Sequence, residues 1–133
     1  MAFETRTDIP ERYRWDLSSL YESDEAFLQA LAAAKDYPAR CLAFQGKVTQ
    51  DPQQLLAFLQ LDDELGIELG KLVNYANRRS DEDTRDSTCQ DYCAQVMMLY
   101  TQIAGSQAWF SSELLELQDA QMEAFYAQEP QLE

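Results

Sequence analysis

The stretch that decides the fold is residues 51–79, which reads DPQQLLAFLQLDDELGIELGKLVNYANRR. It opens with Asp51 and Pro52, a pair typical of a helix N-terminus. The Asp side chain accepts hydrogen bonds from free backbone N–H groups, and proline has no N–H to leave unpaired there. Apolar residues then recur every three or four positions, which predicts one long helix that ends near Arg79. Its apolar stripe comprises Phe58, Leu61, Leu65, Leu69, Leu72 and Ala76.

The same helix carries more apolar residues beside the stripe, and two glycines. This breadth indicates contact with more than one neighbouring element. Gly66 and Gly70 lie four residues apart and mark a place where another helix can approach closely, although each lowers helix propensity by roughly 0.8–1 kcal/mol relative to alanine. The residues that widen the stripe are Leu56, Leu59, Ile67 and Val73.

A polar turn and a further long helix follow. Residues 80–84 read SDEDT, a composition typical of the turn between antiparallel helices. From about Asp86, apolar residues again keep helical spacing, with an irregularity at Gly105 and Ser106. We expect the methionines and tyrosines among them to fill the core. A last short helix is predicted for residues 120–128. In chain order this helix from about Asp86 is the third long helix, after the one predicted near Ser23 and the one at residues 51–79. Its expected core positions are Cys89, Tyr92, Cys93, Val96, Met97, Tyr100, Ile103, Ala104, Phe110 and Leu114.

The N-terminal part predicts an arm followed by a helix. Residues 1–22 are expected to form the arm, with a short helical turn that Asp16 can cap, and residues 23–133 a helical lobe. The first helix should begin after Ser23. Pro38 either ends this helix near Asp36 or kinks it, and the kinked helix, continuing towards Gly46, is the version we expect. The predicted fold is therefore all-α, with long antiparallel helices forming a helical hairpin or bundle.

Composition excludes several functions. The chain has 133 residues, with 10 basic and 24 acidic side chains, a net charge of −14 and no histidine. Such a charge argues against nucleic acid and anionic membranes as partners. Without imidazole the chain cannot build a serine–histidine triad or an H-E-x-x-H zinc helix. A carboxylate-only hydrolase remains an alternative, which requires two nearby carboxylates with strongly shifted pKa values.

The compartment is expected to be the cytoplasm. The N-terminus lacks the apolar segment of a signal peptide, and three cysteines are an odd number for a disulfide framework. Cys89 and Cys93 share one face of the predicted helix. We interpret them as core residues, because a structural zinc site needs four ligands and only Cys41 remains.

The candidate contact site lies near the end of the second long helix, the one predicted for residues 51–79. It consists of Tyr75, Arg78 and Arg79. Arginine binds carboxylates in a two-pronged geometry, so the pair of arginines suits a peptide carboxylate or a partner domain. The alternative is that they pair with acidic neighbours in the chain itself. Those neighbours are Asp81, Glu82 and Asp83.

An ordered series of short motifs resembles the N-terminal part of oligoendopeptidase F, a zinc metallopeptidase of the thimet-oligopeptidase-like family. The series begins with WDLSSLY at 15–21 and SDEAF at 23–27, and continues with FQGKV at 44–48. LVNYA at 72–76, followed by Asp83 and Thr84, keeps the same order, as do Phe110 with Glu113 and Leu114 and then EPQL at 129–132. The resemblance extends over essentially the whole chain from Pro10 onward.

This resemblance implies a truncated N-terminal helical lobe that helps wall a channel for short peptides. The family's zinc ligands, an H-E-x-x-H helix and a further Glu, lie in a downstream catalytic domain. No position here matches them, so the resemblance implies no catalytic residue, no metal ligand and no cofactor in this chain, and zinc only in the parent. Its expected partners are the catalytic domain of the same parent and short peptides, and we also expect the isolated chain to form a homodimer through the second and third long helices. The alternative is a free-standing acidic helical adaptor.

Overall fold

The computed structural model describes residues 6–133 as helices and turns, with no strand in that range. The all-α prediction is confirmed. Among these same residues, every helix is too short or too polar to cross a lipid bilayer. The helices are α1 (Asp24–Ala34), α2 (Tyr37–Leu42), α3 (Pro52–Glu82), α4 (Ser87–Gln107), α5 (Phe110–Leu114) and α6 (Asp119–Gln128), with single turns of 3-10 helix at Arg6–Asp8, Glu11–Tyr13 and Pro130–Leu132.

The long helix α3 begins where the sequence predicts and ends three residues beyond Arg79. Asp51 caps it, since its Oδ1 accepts a hydrogen bond of 2.9 Å from the backbone N–H of Gln53. The predicted stripe faces the core, with Leu69 half-buried and the other five positions buried. Of the residues expected to widen the stripe, Ile67 is instead exposed.

The predicted kinked helix is wrong, because the chain forms two helices in its place. α1 ends at Ala34, Lys35 and Asp36 form a turn, and α2 begins at Tyr37. Pro38 thus lies in the first turn of α2, where its missing N–H leaves no hydrogen bond unmade. Ser23 does cap α1, since its Oγ accepts from the Ala26 N–H at 3.1 Å.

Helix α4 also departs from the prediction, on one flank. Three residues expected in the core are instead exposed, namely Met97, Tyr100 and Ala104. The helix ends at Gln107, directly after the predicted irregularity at Gly105 and Ser106, and α5 starts separately at Phe110. The buried face of α4 instead consists of Cys89, Tyr92, Val96, Leu99, Ile103 and Ser106.

The chain divides into two compact units, to each of which α3 and α4 contribute. The first unit comprises the described residues up to Ala34 together with Glu68–Leu99, and the second comprises Lys35–Ile67 and Tyr100–Glu133. Within the first unit α4 runs back along α3, since Cys93 Sγ lies 3.6 Å from Asn77 Oδ1. The predicted boundary between residues 22 and 23 stays a prediction.

The second unit is held together by an aromatic cluster around Phe58. The Phe58 ring centroid lies 5.7 Å from that of Phe44, 5.0 Å from Trp109 and 4.5 Å from Phe110. Gly46, with φ of +78°, lies within the turns of residues 43–50 that follow α2, and its N–H donates to Glu113 Oε1 at 2.8 Å. A left-handed φ of this kind strains any residue with a Cβ, which explains glycine at this position.

Candidate functional site

The three candidate residues lie on the last turns of α3, in the first unit. Tyr75 and Arg79 are one turn apart on the same face, and both contact Asp24 at the start of α1. Arg78 lies on another face, where its guanidinium carbon is 5.2 Å from the centroid of the Trp15 ring. The structure therefore brings two of the three residues together and separates the third.

Asp24 is held by a two-pronged ion pair. Arg79 Nε donates to Asp24 Oδ1 at 3.0 Å, and Arg79 Nη2 donates to Oδ2 at 2.8 Å. The Tyr75 hydroxyl donates to the same Oδ1 at 2.6 Å. The hydrogen bond from Arg79 lowers the pKa of Asp24, with a smaller contribution in the same direction from Tyr75. Asp24 is thus kept ionised, and its charge at the N-terminus of α1 suits the helix dipole.

Glu82 extends this ion pair into a network. Its side chain is only 10% exposed, and its Oε2 accepts from Arg79 Nη1 at 3.3 Å and from Arg6 Nε. Within residues 6–133, the other oxygen, Oε1, is buried without a hydrogen-bond partner. The alternative that the sequence left open, pairing with acidic neighbours, is seen for Arg79 with Glu82 and for Arg78 with Asp81 at 3.5 Å.

The network bears on the expected contact with a peptide carboxylate or a partner domain. Three nitrogens of Arg79 already contact carboxylates of its own chain. Arg78 is more accessible, with its side chain 45% exposed, and its pair with Asp81 is a surface pair of small energy. The contact role of Tyr75, Arg78 and Arg79 stays a prediction, for which Arg78 is the accessible member.

A cleft of about 620 Å³ lies beside this network, within the first unit. That volume falls in the range of small-molecule sites. Its walls carry the aromatic rings of Trp15, Tyr21 and Tyr75 together with charged groups of both signs, including Arg14 and Asp24. Much of this lining is internally satisfied, since Arg14 donates to the carbonyl oxygens of Ile9 and Thr7.

The two buried thiols, those of Cys41 and Cys89, are not activated for nucleophilic chemistry. Burial raises the pKa of Cys89 to about 11, and a hydrogen bond to Asp86 acts in the same direction. Burial likewise raises the pKa of Cys41. A reactive cysteine needs the opposite shift, because the thiolate is the nucleophile.

The residues of this chain do not fit the zinc centre that the resemblance implies for its parent. The sequence has no histidine. Over residues 6–133, no three Cys, Asp or Glu side chains lie close enough together to hold a metal ion. Cys89 is buried and Cys93 half-buried, so the predicted pair of core thiols is only partly in the core.

Two tyrosines of the first unit should respond oppositely to loss of the hydroxyl. In the described part of the chain the Tyr21 hydroxyl is buried without a hydrogen-bond partner, whereas Tyr75 donates to Asp24. Urea unfolding at pH 7 should therefore show that Tyr21→Phe leaves the free energy of unfolding unchanged or raises it by up to about 1 kcal/mol. Tyr75→Phe should lower the free energy of unfolding by about 1–2 kcal/mol. A loss in Tyr21→Phe equal to that in Tyr75→Phe would contradict this assignment.

The alkaline limb of the stability curve provides a second readout. Burial, aided by the nearby charge of Glu68, raises the pKa of Tyr21 to about 12. Because the unfolded tyrosine ionises near pH 10, the stabilisation from keeping Tyr21 neutral is complete below about pH 10 and is lost as the pH rises through about 12. Urea unfolding of Tyr21→Phe between pH 9 and 12 should show a smaller fall in the free energy of unfolding with pH than the unmodified chain shows. An equal fall in both proteins would contradict this role of Tyr21.

Comparison with known proteins gives consistent relatives. The chain is 25% identical over 130 residues to the group B oligopeptidase PepB of Streptococcus agalactiae, which covers 98% of this chain and 22% of that protein. It is 28% identical over 127 residues to the oligopeptidase PepF of Bacillus subtilis, covering 96% of this chain and 19% of PepF. The plasmid-encoded oligoendopeptidase F of Lactococcus lactis subsp. cremoris is 25% identical over 115 residues, which is 86% of this chain and 19% of that protein.

No family model and no solved structure matches the chain. The curated relatives nevertheless agree with one another and with the resemblance that the motifs indicated. The chain spans only about a fifth of the length of those relatives. The predicted resemblance is confirmed: the relatives of this chain are oligopeptidases of the oligoendopeptidase F type.

Proposed function

We propose that this chain is the non-catalytic N-terminal helical lobe of a zinc-dependent oligopeptidase of the oligoendopeptidase F type. The observation that carries the proposal is the asymmetry of the match, which takes in 98% of this chain but 22% of the PepB relative. Nearly the whole sequence of this chain thus aligns with about one fifth of the sequence of a peptidase. The lobe would help wall the channel that admits short peptides.

The chemistry of the chain supports a non-catalytic role. It offers no imidazole, its buried thiols have raised pKa values, and Asp24 and Glu82 are bound by arginines. The zinc ion and its H-E-x-x-H helix would therefore belong to the remaining four fifths of the longer protein. Its partners would be that catalytic part and, in the assembled enzyme, short peptides. The expected cytoplasmic location belongs to the same proposal and rests on the cysteine content.

A peptide-hydrolysis assay tests the proposal. The purified chain, incubated with zinc and a quenched fluorescent peptide, should show no hydrolysis above the buffer rate. The longer protein encoded by the same gene should cleave the peptide and should lose this activity on chelation. Cleavage by the chain alone that survives further purification steps would contradict a non-catalytic role.

The net charge of −14 favours a second candidate, a free-standing adaptor that recruits a basic protein. The two candidates differ in salt dependence and in gene context. An adaptor should bind a Lys- and Arg-rich partner with an affinity that falls steeply as salt is raised. Such a partner, together with a gene that encodes no peptidase, would favour the adaptor.

On its own, the 133-residue chain should form a homodimer through α3 and α4. Large apolar side chains are exposed on both helices, among them Ile67 and Met98. Such side chains self-associate when nothing covers them. Multi-angle light scattering should give twice the chain mass of 15.3 kDa at high protein concentration. Ile67→Glu should shift the equilibrium towards the monomer, and a monomer in the unmodified chain at every concentration would contradict the prediction.

A further inference from the structure

Four residues of the second unit form an open surface on α3 and α4, which we name the docking face: Gly66, Ile67, Tyr100 and Ala104. All four are exposed, Ile67 by 62% and Tyr100 by 50%. The hydrogen bond of 2.7 Å from Gln107 Nε2 to Asp62 Oδ1 sets the register of the two helices. Gly66 lies one turn after Asp62 and Ala104 one turn before Gln107, so the two small residues are level with each other.

The chain's own packing does not require the glycine in this face. A Cβ placed on Gly66 would meet no atom of the described part of the chain within 4 Å. Glycine nevertheless makes a helix less stable than alanine would. A helix position without a side chain allows another backbone to approach closely, and packed helices lie only about 8–10 Å apart. The small residues Gly66 and Ala104 beside two exposed large apolar ones thus have the form of a helix-packing surface that no helix of residues 6–133 covers.

We propose that the docking face packs against a helix from the remaining four fifths of the longer protein, a proposal that rests on the proposed function. The length outside the match supports this occupant, because the chain covers only 19–22% of its PepF and PepB relatives. The charge of this chain indicates which side chains the docked helix should carry. Asp63, three residues before Gly66, is exposed, and acidic side chains outnumber basic ones by 24 to 10. The occupant is therefore an amphipathic helix whose apolar stripe is flanked by Lys or Arg.

Thiol labelling tests the proposal in the 133-residue chain and in the longer protein from the same gene. Ile67→Cys places a thiol in the docking face, and Gln53→Cys places one at an exposed position in the first turn of the same helix, about 21 Å away along its axis. Both positions fall on the tryptic peptide from Val48 to Lys71, which contains no native cysteine. Mass spectrometry of that peptide therefore reports the introduced thiol alone. The short chain is labelled at a concentration where it is monomeric.

The expected result is a selective loss of reactivity. The thiol at position 67 should label readily in the short chain and lose most of its reactivity in the longer protein, whereas the thiol at position 53 should label equally in both. Equal labelling of position 67 in both proteins would overturn the docking proposal and leave the proposed function standing. Protection that disappears on dilution of the longer protein would identify a second copy as the occupant and also overturn it. A gene with no continuation would defeat the proposed function and this proposal together.

Gly66→Ala gives an independent readout that does not use labelling. In the short chain the substitution should raise Tm by about 3 °C, because helix propensity improves and the new Cβ meets no atom. In the longer protein it should lower Tm, because the Cβ would meet the docked helix. Gly105→Ala is the matched control, since Gly105 is an exposed glycine of α4 outside the docking face, with open space around it, and it should raise Tm in both proteins. A rise in both proteins for Gly66→Ala would contradict the docking.

Discussion

Replacing Phe58 by alanine is expected to lower the free energy of unfolding by about 3–5 kcal/mol. Phe58 is 1% exposed and contacts the rings of Phe44, Trp109 and Phe110. Truncation removes its buried area from the core and leaves a cavity that three large rings cannot refill without leaving their preferred geometry. Domains of this size are stable by about 5–15 kcal/mol, so this single change removes at least about a fifth of the stability.

Urea unfolding followed by circular dichroism measures the effect of Phe58→Ala. Leu115→Ala is the matched control in the same unit, because Leu115 is 87% exposed and its loss should change the free energy of unfolding by less than about 0.5 kcal/mol. Phe58→Leu should give an intermediate loss, since it keeps part of the buried volume. Equal unfolding midpoints for Phe58→Ala and Leu115→Ala would show that the ring cluster does not hold the second unit together.

Replacing Arg79 by leucine is the second large effect and should lower the free energy of unfolding by about 2–4 kcal/mol. The substitution removes the partner of Asp24 and one of the two arginines that contact Glu82. Glu82 would then remain as a largely buried carboxylate with Arg6 alone. The cost comes mainly from these partly desolvated charges, because a buried charge without a partner is far less stable than one in water.

Arg78→Leu is the matched control, because it removes the same charge one residue earlier in the chain. Arg78 and its partner Asp81 are both about half exposed, so the loss should stay below about 1 kcal/mol. Similar losses for Arg78→Leu and Arg79→Leu would contradict the role given to the Asp24–Arg79 network.

The pH dependence of stability in acid shows whether Arg79 stabilises the fold through its ion pair with Asp24 or only through packing. Arg79 holds the pKa of Asp24 below its ordinary value of about 3.9, so the stabilisation is present above about pH 4 and is lost as the pH falls through the lowered pKa. In Arg79→Leu the folded and unfolded pKa values of Asp24 should lie closer together. The difference in free energy of unfolding between the two proteins should therefore shrink below pH 4, and a constant difference down to pH 2 would contradict this origin.

Much of the fold could be predicted because its signals are local. Asp51 and Pro52 mark the start of α3 by themselves, and the spacing of apolar residues fixes which face of α3 is buried. Two local signals were ambiguous. Pro38 is compatible with a kink or with a new first turn, and in the structure it lies in the first turn of α2. On α4, Met97 keeps helical spacing as well as Leu99 does, so periodicity alone could not decide which flank faces the core.

The candidate site was less predictable, because its main contact is distant in sequence. Tyr75 and Arg79 were identified from their position near the end of α3, but their partner Asp24 lies 55 residues from Arg79. In the sequence Asp24 is explained fully as a first-turn acid of α1, so nothing pointed to its second role. The contacts of Arg78 and Arg79 with Asp81 and Glu82 follow the three-residue spacing of a helix and were foreseeable.

The nucleotide sequence that follows the codon for Glu133 tests most directly that this chain is one lobe of a larger peptidase. Its matched relatives are about five times as long, so the reading frame should continue for about four times the length of this chain. That continuation should encode an H-E-x-x-H helix with a further glutamate to complete the zinc site. A stop codon directly after Glu133, or a long continuation with no such motif, would contradict the account.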